Sequence, residues 1–206
     1  MIELTHLPET LLLKQPTISA EEICFLYAGD LWIAARDGSH PHRLTAEKGS
    51  KSSPNFSPDG QWIAFSGNYD GNLSVYVISR LGGSPRRLAY HPYDDLVRGW
   101  TPDGKHILFA SARDSTSMRY RQLFTVPLEG GLPSPLPMDM AERGSYSPDG
   151  TQIAYTAYYE AFWSWKRYRG GMTVPIWVLD LQTHDHVEIP HENASDTFPC
   201  LSLIHI

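Results

Sequence analysis

The stretch that decides the fold is FSPDGQWIAF, Phe56 to Phe65, because it returns as WTPDGKHILF, Trp100 to Phe109, and again as YSPDGTQIAY, Tyr146 to Tyr155. Pro58, Pro102 and Pro148 thus mark a period of about 45 residues,. A degenerate earlier copy, ISAEEICFLY, runs from Ile18 to Tyr27 without the Pro-Asp-Gly core. The motif has a physical reading. Proline presets φ for the first central turn position, aspartate bonds back to the local backbone, and glycine takes the left-handed conformation that other residues resist. The apolar run after each turn, Ile63-Ala64-Phe65 or Ile107-Leu108-Phe109, is continuous rather than alternating. That is the pattern of a strand covered on both faces.

Working outward, a second β-rich run follows each copy: DLWIAA from Asp30, NLSVYVIS from Asn72, QLFTVPL from Gln122 and PIWVLDL from Pro175. A tight turn comes next, at Asp37-Gly38, Gly82-Gly83, Gly130-Gly131 and Gln182 to Asp185, and then a last short strand such as His42-Arg43 or Arg86-Arg87,. Four short strands per repeat, with no sustained helical periodicity, predict an all-β protein: a β-propeller of four-stranded blades, about four blades of a probable six-bladed ring. The expected division is a leader over 1–15, blades at about 16–50, 51–95, 96–140 and 141–190, the start of a fifth blade up to 199, and an anomalous tail over 200–206. Phe198-Pro199 leads toward that fifth blade as Ser53-Pro54 leads into Phe56, but Cys200 to Ile206 does not continue the motif.

Composition narrows the function. The chain has 206 residues, 17 basic against 23 acidic, for a formal charge of −6. That sign opposes phosphate binding, so nucleic acid is not an expected partner. The N-terminus has no basic region ahead of an apolar stretch, and nothing approaches the length of a membrane span, so the expected location is the cytoplasm, away from any membrane. Cys24 and Cys200 have neither disulfide-framework nor zinc-site spacing, and Cys24 reads as a buried small hydrophobe,.

No catalytic apparatus is legible. There is no Gly-x-Ser-x-Gly elbow, and Gly144-Ser145-Tyr146-Ser147 is the entry to a turn,. Asp59, Asp103 and Asp149 recur at one repeat position and read as turn formers rather than acid–base partners,. Trp32, Trp62, Trp100 and Trp177 lie in strand runs and are expected in the core or between blades,. His184, His186 and Glu188 alternate, with His191 close behind, which admits a metal site, but an outer solvent-facing strand accounts for the same pattern,. His40 and His42 flank Pro41 in what reads as a solvated loop. No catalytic, metal or cofactor residue is nominated. The candidate peptide or interface contacts are Trp165, Lys166, Arg167, Tyr168 and Arg169, where guanidinium forks suit carboxylates and interleaved aromatics suit stacking,.

The Ser-Pro-Asp-Gly repeats resemble the propeller blades of the TolB and tricorn families. The segment Trp165-Lys166-Arg167-Tyr168-Arg169-Gly170-Gly171, followed by Ile176-Trp177, is similar to the W-K-x-Y-R-G-G…IW segment of the tricorn N-terminal propeller. Ile23, Phe25, Asp30, Leu31 and Trp32 look like its first blade. The resemblance implies a longer parent: a six-bladed and a seven-bladed propeller, a PDZ-like domain and a serine-protease core carrying the chemistry. It implies that this part gates oligopeptides or supports assembly, with peptides and other subunits of the same protein as partners. The competing expectation is a TolB-like or free-standing propeller serving as a protein-binding scaffold.

Overall fold

The computed structural model describes residues 12–116, 120–158, 174–190, 196 and 198–201. Every regular element among them is a β-strand. The first sheet holds β1 (Lys14–Ile18), β2 (Glu22–Tyr27), β3 (Asp30–Ala35) and β4 (His42–Arg43). The second holds β5 (Lys51–Phe56), β6 (Trp62–Asn68), β7 (Leu73–Ser79) and β8 (Arg86–Arg87). The third holds β9 (Asp95–Trp100), β10 (His106–Ser111), β11 (Gln122–Pro127) and β12 (Ser134–Pro135). The fourth holds β13 (Arg143–Tyr146), β14 (Gln152–Thr156), β15 (Ile176–Asp180) and β16 (His186–Glu188). Each sheet is an antiparallel meander in chain order. Lys14 and Gln15, from the expected leader, belong to the first sheet. Of the expected tail, 202–206 lie outside the described residues.

The first strands of consecutive sheets are neighbours, β1 beside β5, β5 beside β9 and β9 beside β13. The sheets therefore fan outward from a shared inner edge as propeller blades do. Strand periodicity then splits each middle strand between two interfaces. Ile63, Phe65, Tyr76 and Ile78 face back onto Cys24, Leu26, Leu31 and Ile33 of the first blade. Ala64, Val75 and Val77 face forward onto Phe109, Phe124 and Val126 of the third. Leu108, Ala110 and Leu123 of the third pack on Ile153, Tyr155 and Leu179 of the fourth. Both faces are covered, which is why these strands read as unbroken apolar runs.

An aromatic pair recurs at one register position: Phe25 with Trp32, Phe65 with Tyr76, Phe109 with Phe124 and Tyr155 with Trp177 are all Cα partners. Phe65 stacks on Tyr76 and Phe109 on Phe124, each with ring centroids 5.8 Å apart. Large flat side chains fill the widening wedge between blades, and such pairs add about 1 kcal/mol beyond their buried area. Cys24 is fully buried among them, and burial pushes its thiol up to about 12.

Candidate functional site

The Pro-Asp-Gly turns build one mouth of the site. Ser57 Oγ donates to Asp59 Oδ1 (2.5 Å) and accepts from Trp62 N (2.9 Å), while Gln61 N donates to the same carboxylate oxygen (3.0 Å). Thr101 with Asp103, and Ser147 with Asp149, repeat this arrangement at 2.6 Å. The donated hydroxyl, followed by the backbone N–H, holds all three carboxyls below their ordinary range. The aspartates stabilise turns and do not meet as a pair. In the first blade the turn is shorter, and Ser19 Oγ alone accepts from Glu22 N at 3.0 Å. Neighbouring turns nearly touch. A Cβ on Gly104 would lie 3.6 Å from Pro58 Cδ, and one on Gly150 3.7 Å from Pro102 Cγ.

Behind this ring of turns the four inner strands enclose a groove of about 890 Å³. Its walls include Gln15, Ser53, Asn55, Arg98, Arg143 and Ser145, and Phe198 and Pro199 also line it. The walls are irregular for a reason. β1, β5 and β9 each break register where they line the groove, between Lys14 and Thr17, between Ser52 and Asn55, and at Arg98 between Val97 and Gly99. A bulge inserts an extra residue and re-aims side chains. Gln15, Ser53 and Phe198 each precede a proline and have φ of 49°, 52° and 57°. That left-handed backbone costs a non-glycine residue about 1 kcal/mol. Its repetition at equivalent places marks a built feature of the inner wall. Ser53 N donates to Gln15 Oε1 at 2.6 Å, stitching the first two blades together there.

At the other end, buried charges brace the inner strands. Lys51, first in β5, donates to Asp30 Oδ1 of the preceding blade at 2.8 Å, and Arg43 donates to Asp30 Oδ2 at 2.5 Å. Burial opposes the charge of Asp30, but hydrogen bonds from Lys51, Thr45 and Arg43 outweigh it and hold the carboxyl below its usual range. Asp95, first in β9, is fully buried against Arg113, whose Nη2 reaches its two oxygens at 3.0 and 2.9 Å. Here burial wins and raises the carboxyl. Glu142, just ahead of β13, takes Arg98 through a short bidentate contact to side chain and carbonyl, and Arg121 at 3.0 and 3.2 Å. Burial lowers Arg98 to about 10 against the pull of Glu142. Arg143 places its guanidinium 4.1 Å from the centre of the Phe198 ring.

The nominated contacts Trp165, Lys166, Arg167, Tyr168 and Arg169 lie outside the described residues, as does His191. His184 sits in the turn after β15 with φ 62°, while His186 and Glu188 share one face of β16. His186 Nδ1 meets Tyr155 Oη at 2.9 Å, and no group of three metal-competent side chains converges among the described residues. His40 and His42 are exposed and joined by a 3.1 Å contact from the His42 ring to the His40 carbonyl. Trp100 is buried with its indole N–H on Asn55 O of the preceding blade, and Trp62 packs against the second core. The groove residues Arg98 and Arg143 and the bracing acids escaped the sequence reading. One signal reaches part of the set: Lys51 and Asp95 stand at the same distance ahead of Phe56 and Trp100, although their opposite signs hide the correspondence.

Four-stranded meanders fanning around a common groove, with no catalytic constellation among the described residues, define a β-propeller arc. The chain belongs to the family described as the tricorn protease N-terminal beta propeller domain, which matches residues 10–204. It is 32% identical over 167 residues to tricorn protease homolog 1 of Streptomyces coelicolor, covering 81% of this chain and 16% of that protein. To the tricorn protease homolog of Saccharolobus solfataricus it is 26% identical over 170 residues, 79% of this chain and 15% of the relative. The chain therefore spans about a sixth of the length of these relatives. Its fold is that of the tricorn protease crystal structure (TM-score 0.75, 22% identity, 89% of this chain and 18% of that one). It is also that of TolB from Acinetobacter baumannii (TM-score 0.69, 21% identity, 86% and 43%). No helix among the described residues is long and apolar enough to cross a membrane.

Proposed function

We propose that this chain is the non-catalytic propeller portion of a tricorn-type serine peptidase of the cytoplasm, admitting oligopeptides along its inner groove and supporting assembly with other subunits. The observation that carries this reading is the lining of the groove. Its walls intersperse prolines and glycines with polar side chains, Gln15, Ser53, Asn55, Ser145 and Arg143, and with the aromatic Phe56, Trp100 and Tyr146, so that no one chemistry runs along the groove. Such a wall offers an extended peptide scattered polar and apolar contacts rather than one concentrated capture site, which suits transit. Left-handed, proline-locked bulges keep the wall from collapsing onto its own strands,.

The test is photo-crosslinking of short oligopeptides carrying a benzophenone group to the purified chain, with the modified residues mapped by mass spectrometry. Crosslinks concentrated on Ser53 to Phe56 and on Gly144 to Tyr146 are expected. Crosslinks confined to the outer strands, or none at all, would remove the passage and leave the protein-binding scaffold in its place.

A further inference from the structure

Three residues that line the inner groove, Gln15, Ser53 and Phe198, share one backbone geometry: each holds a left-handed φ directly ahead of a proline. A common φ with proline next in line aims the Cβ alike. What the three present there differs. The Gln15 carboxamide accepts from Ser53 N at 2.6 Å, and the Ser53 carbonyl accepts from Asn55 Nδ2 at 3.0 Å, so the first two blades offer small polar groups already tied to one another. Phe198 offers a large apolar side chain and is 61% exposed. The Arg143 guanidinium, 4.1 Å from the ring centre, covers one face of it, so the exposure belongs to the rest of the residue. A lone exposed phenylalanine on a convex surface calls for no explanation. This one lines a concave wall, its backbone held in a region that non-glycine residues avoid and its ring steadied by a cation,.

We infer that Phe198 is a specificity-determining contact of the groove, favouring oligopeptides that carry an aromatic or large aliphatic side chain; the inference rests on the passage proposed above. A side chain that covers the exposed part of the ring removes apolar surface from water on both partners, and an aromatic one adds an offset or edge-on ring contact. A cationic side chain would meet the guanidinium of Arg143, and none of the described lining residues is acidic,. One such contact in a wall of mixed chemistry biases which peptides enter without capturing them, since a single ring pair is worth about fivefold in affinity.

Competition against the benzophenone-labelled oligopeptide on the full chain tests it. Acetyl-Gly-Gly-Phe-Gly-Gly amide should suppress crosslinking at about one fifth of the concentration that acetyl-Gly-Gly-Ser-Gly-Gly amide needs. Phe198→Ser should bring the two peptides to equal potency, while Phe198→Leu should keep part of the difference. Because Phe198 is largely exposed, both variants should melt with the parent chain, which confirms that they are folded. Equal competition by the two peptides on the parent chain, or a preference that survives in Phe198→Ser, would overturn the inference and leave the passage standing. Strongest competition by acetyl-Gly-Gly-Glu-Gly-Gly amide would overturn it by assigning the contact to Arg143 instead. A labelled peptide that never crosslinks to Ser53 to Phe56 or to Gly144 to Tyr146 would remove passage and inference together.

Discussion

Glu142→Gln is the sharpest probe of what joins the third and fourth blades. The side chain of Glu142 is 4% exposed and faces Arg98 at 7% and Arg121 at 21%, with the charges of all three enclosed by two blades. Glutamine keeps the shape and one acceptor but removes the charge, leaving two guanidinium groups in a site from which water is largely excluded. Breaking a buried pair in this way costs 3–5 kcal/mol when nothing compensates. Arg121 retains some solvent, which places the expected loss at the low end, about 3 kcal/mol. At about 2–4 °C per kcal/mol for a chain of this size, the midpoint should fall by about 6–12 °C. Urea unfolding followed by circular dichroism should show a lower midpoint with an unchanged slope. The control is Arg80→Gln, whose 3.3 Å contact to Glu22 is partly solvated and should change stability by less than about 1 kcal/mol,. A loss below about 1 kcal/mol for Glu142→Gln would refute the claim that this cluster braces the interface.

Glycines separate strain from collision. A Cβ on Gly49 would lie 2.0 Å from Asn68 O, so Gly49→Ala should cost about 3 kcal/mol or more, whereas Gly82→Ala meets nothing and should cost about 1 kcal/mol in thermal melts,. The turn aspartates have folded pKa values below their unfolded ones, so their contribution is complete above the ordinary aspartate range and is lost as pH falls through the depressed values,. The triple variant Asp59→Asn, Asp103→Asn, Asp149→Asn should therefore show a shallower loss of stability between about pH 4 and pH 2 in acid titrations. With Cys200 exposed and Cys24 buried with a raised thiol, a disulfide reagent should titrate one thiol rapidly in the native chain and the second only after denaturant is added,.

The turn motif made the fold legible because it is local: serine, aspartate and glycine satisfy their own hydrogen bonds within a few residues, so their order in the chain carries the geometry. The hairpins after it were legible for the same reason, in Asp37-Gly38 and Gly82-Gly83. The inner strands were harder. β5 contains Ser52, Ser53, Pro54 and Asn55, and neither the alternation of a half-buried strand nor the apolar run of a covered one survives there. A proline inside a strand ordinarily speaks against the assignment. It is tolerated here because the bulge has already broken the ladder at Pro54, whose missing N–H leaves no gap,. The bracing charges were illegible for a different reason. Lys51 and Asp95 carry opposite signs at one repeat position, and each finds its partner at a different distance along the chain, Asp30 behind and Arg113 ahead.

That exchange of sign bears on how the blades came to differ. If the inner-strand charge served only local solubility, lysine and aspartate could trade places freely. In the structure each has its own fixed partners: Lys51 neutralises an acid of the blade before it, Asp95 an arginine of its own blade, and Glu142 two arginines of the blade before it. Lys51 and Glu142 therefore carry complementarity across an interface, and a blade moved to another place in the fan would bury an unmatched charge. Apolar packing alone cannot supply that order, since Phe65 and Phe109 occupy equivalent positions and would accept either neighbour. Lys51→Asp, which would set two carboxylates against each other beside Arg43, should destabilise the first interface more than Lys51→Met, which removes the charge but keeps the volume. The reverse ranking in urea unfolding would mean that shape, not charge, orders the blades.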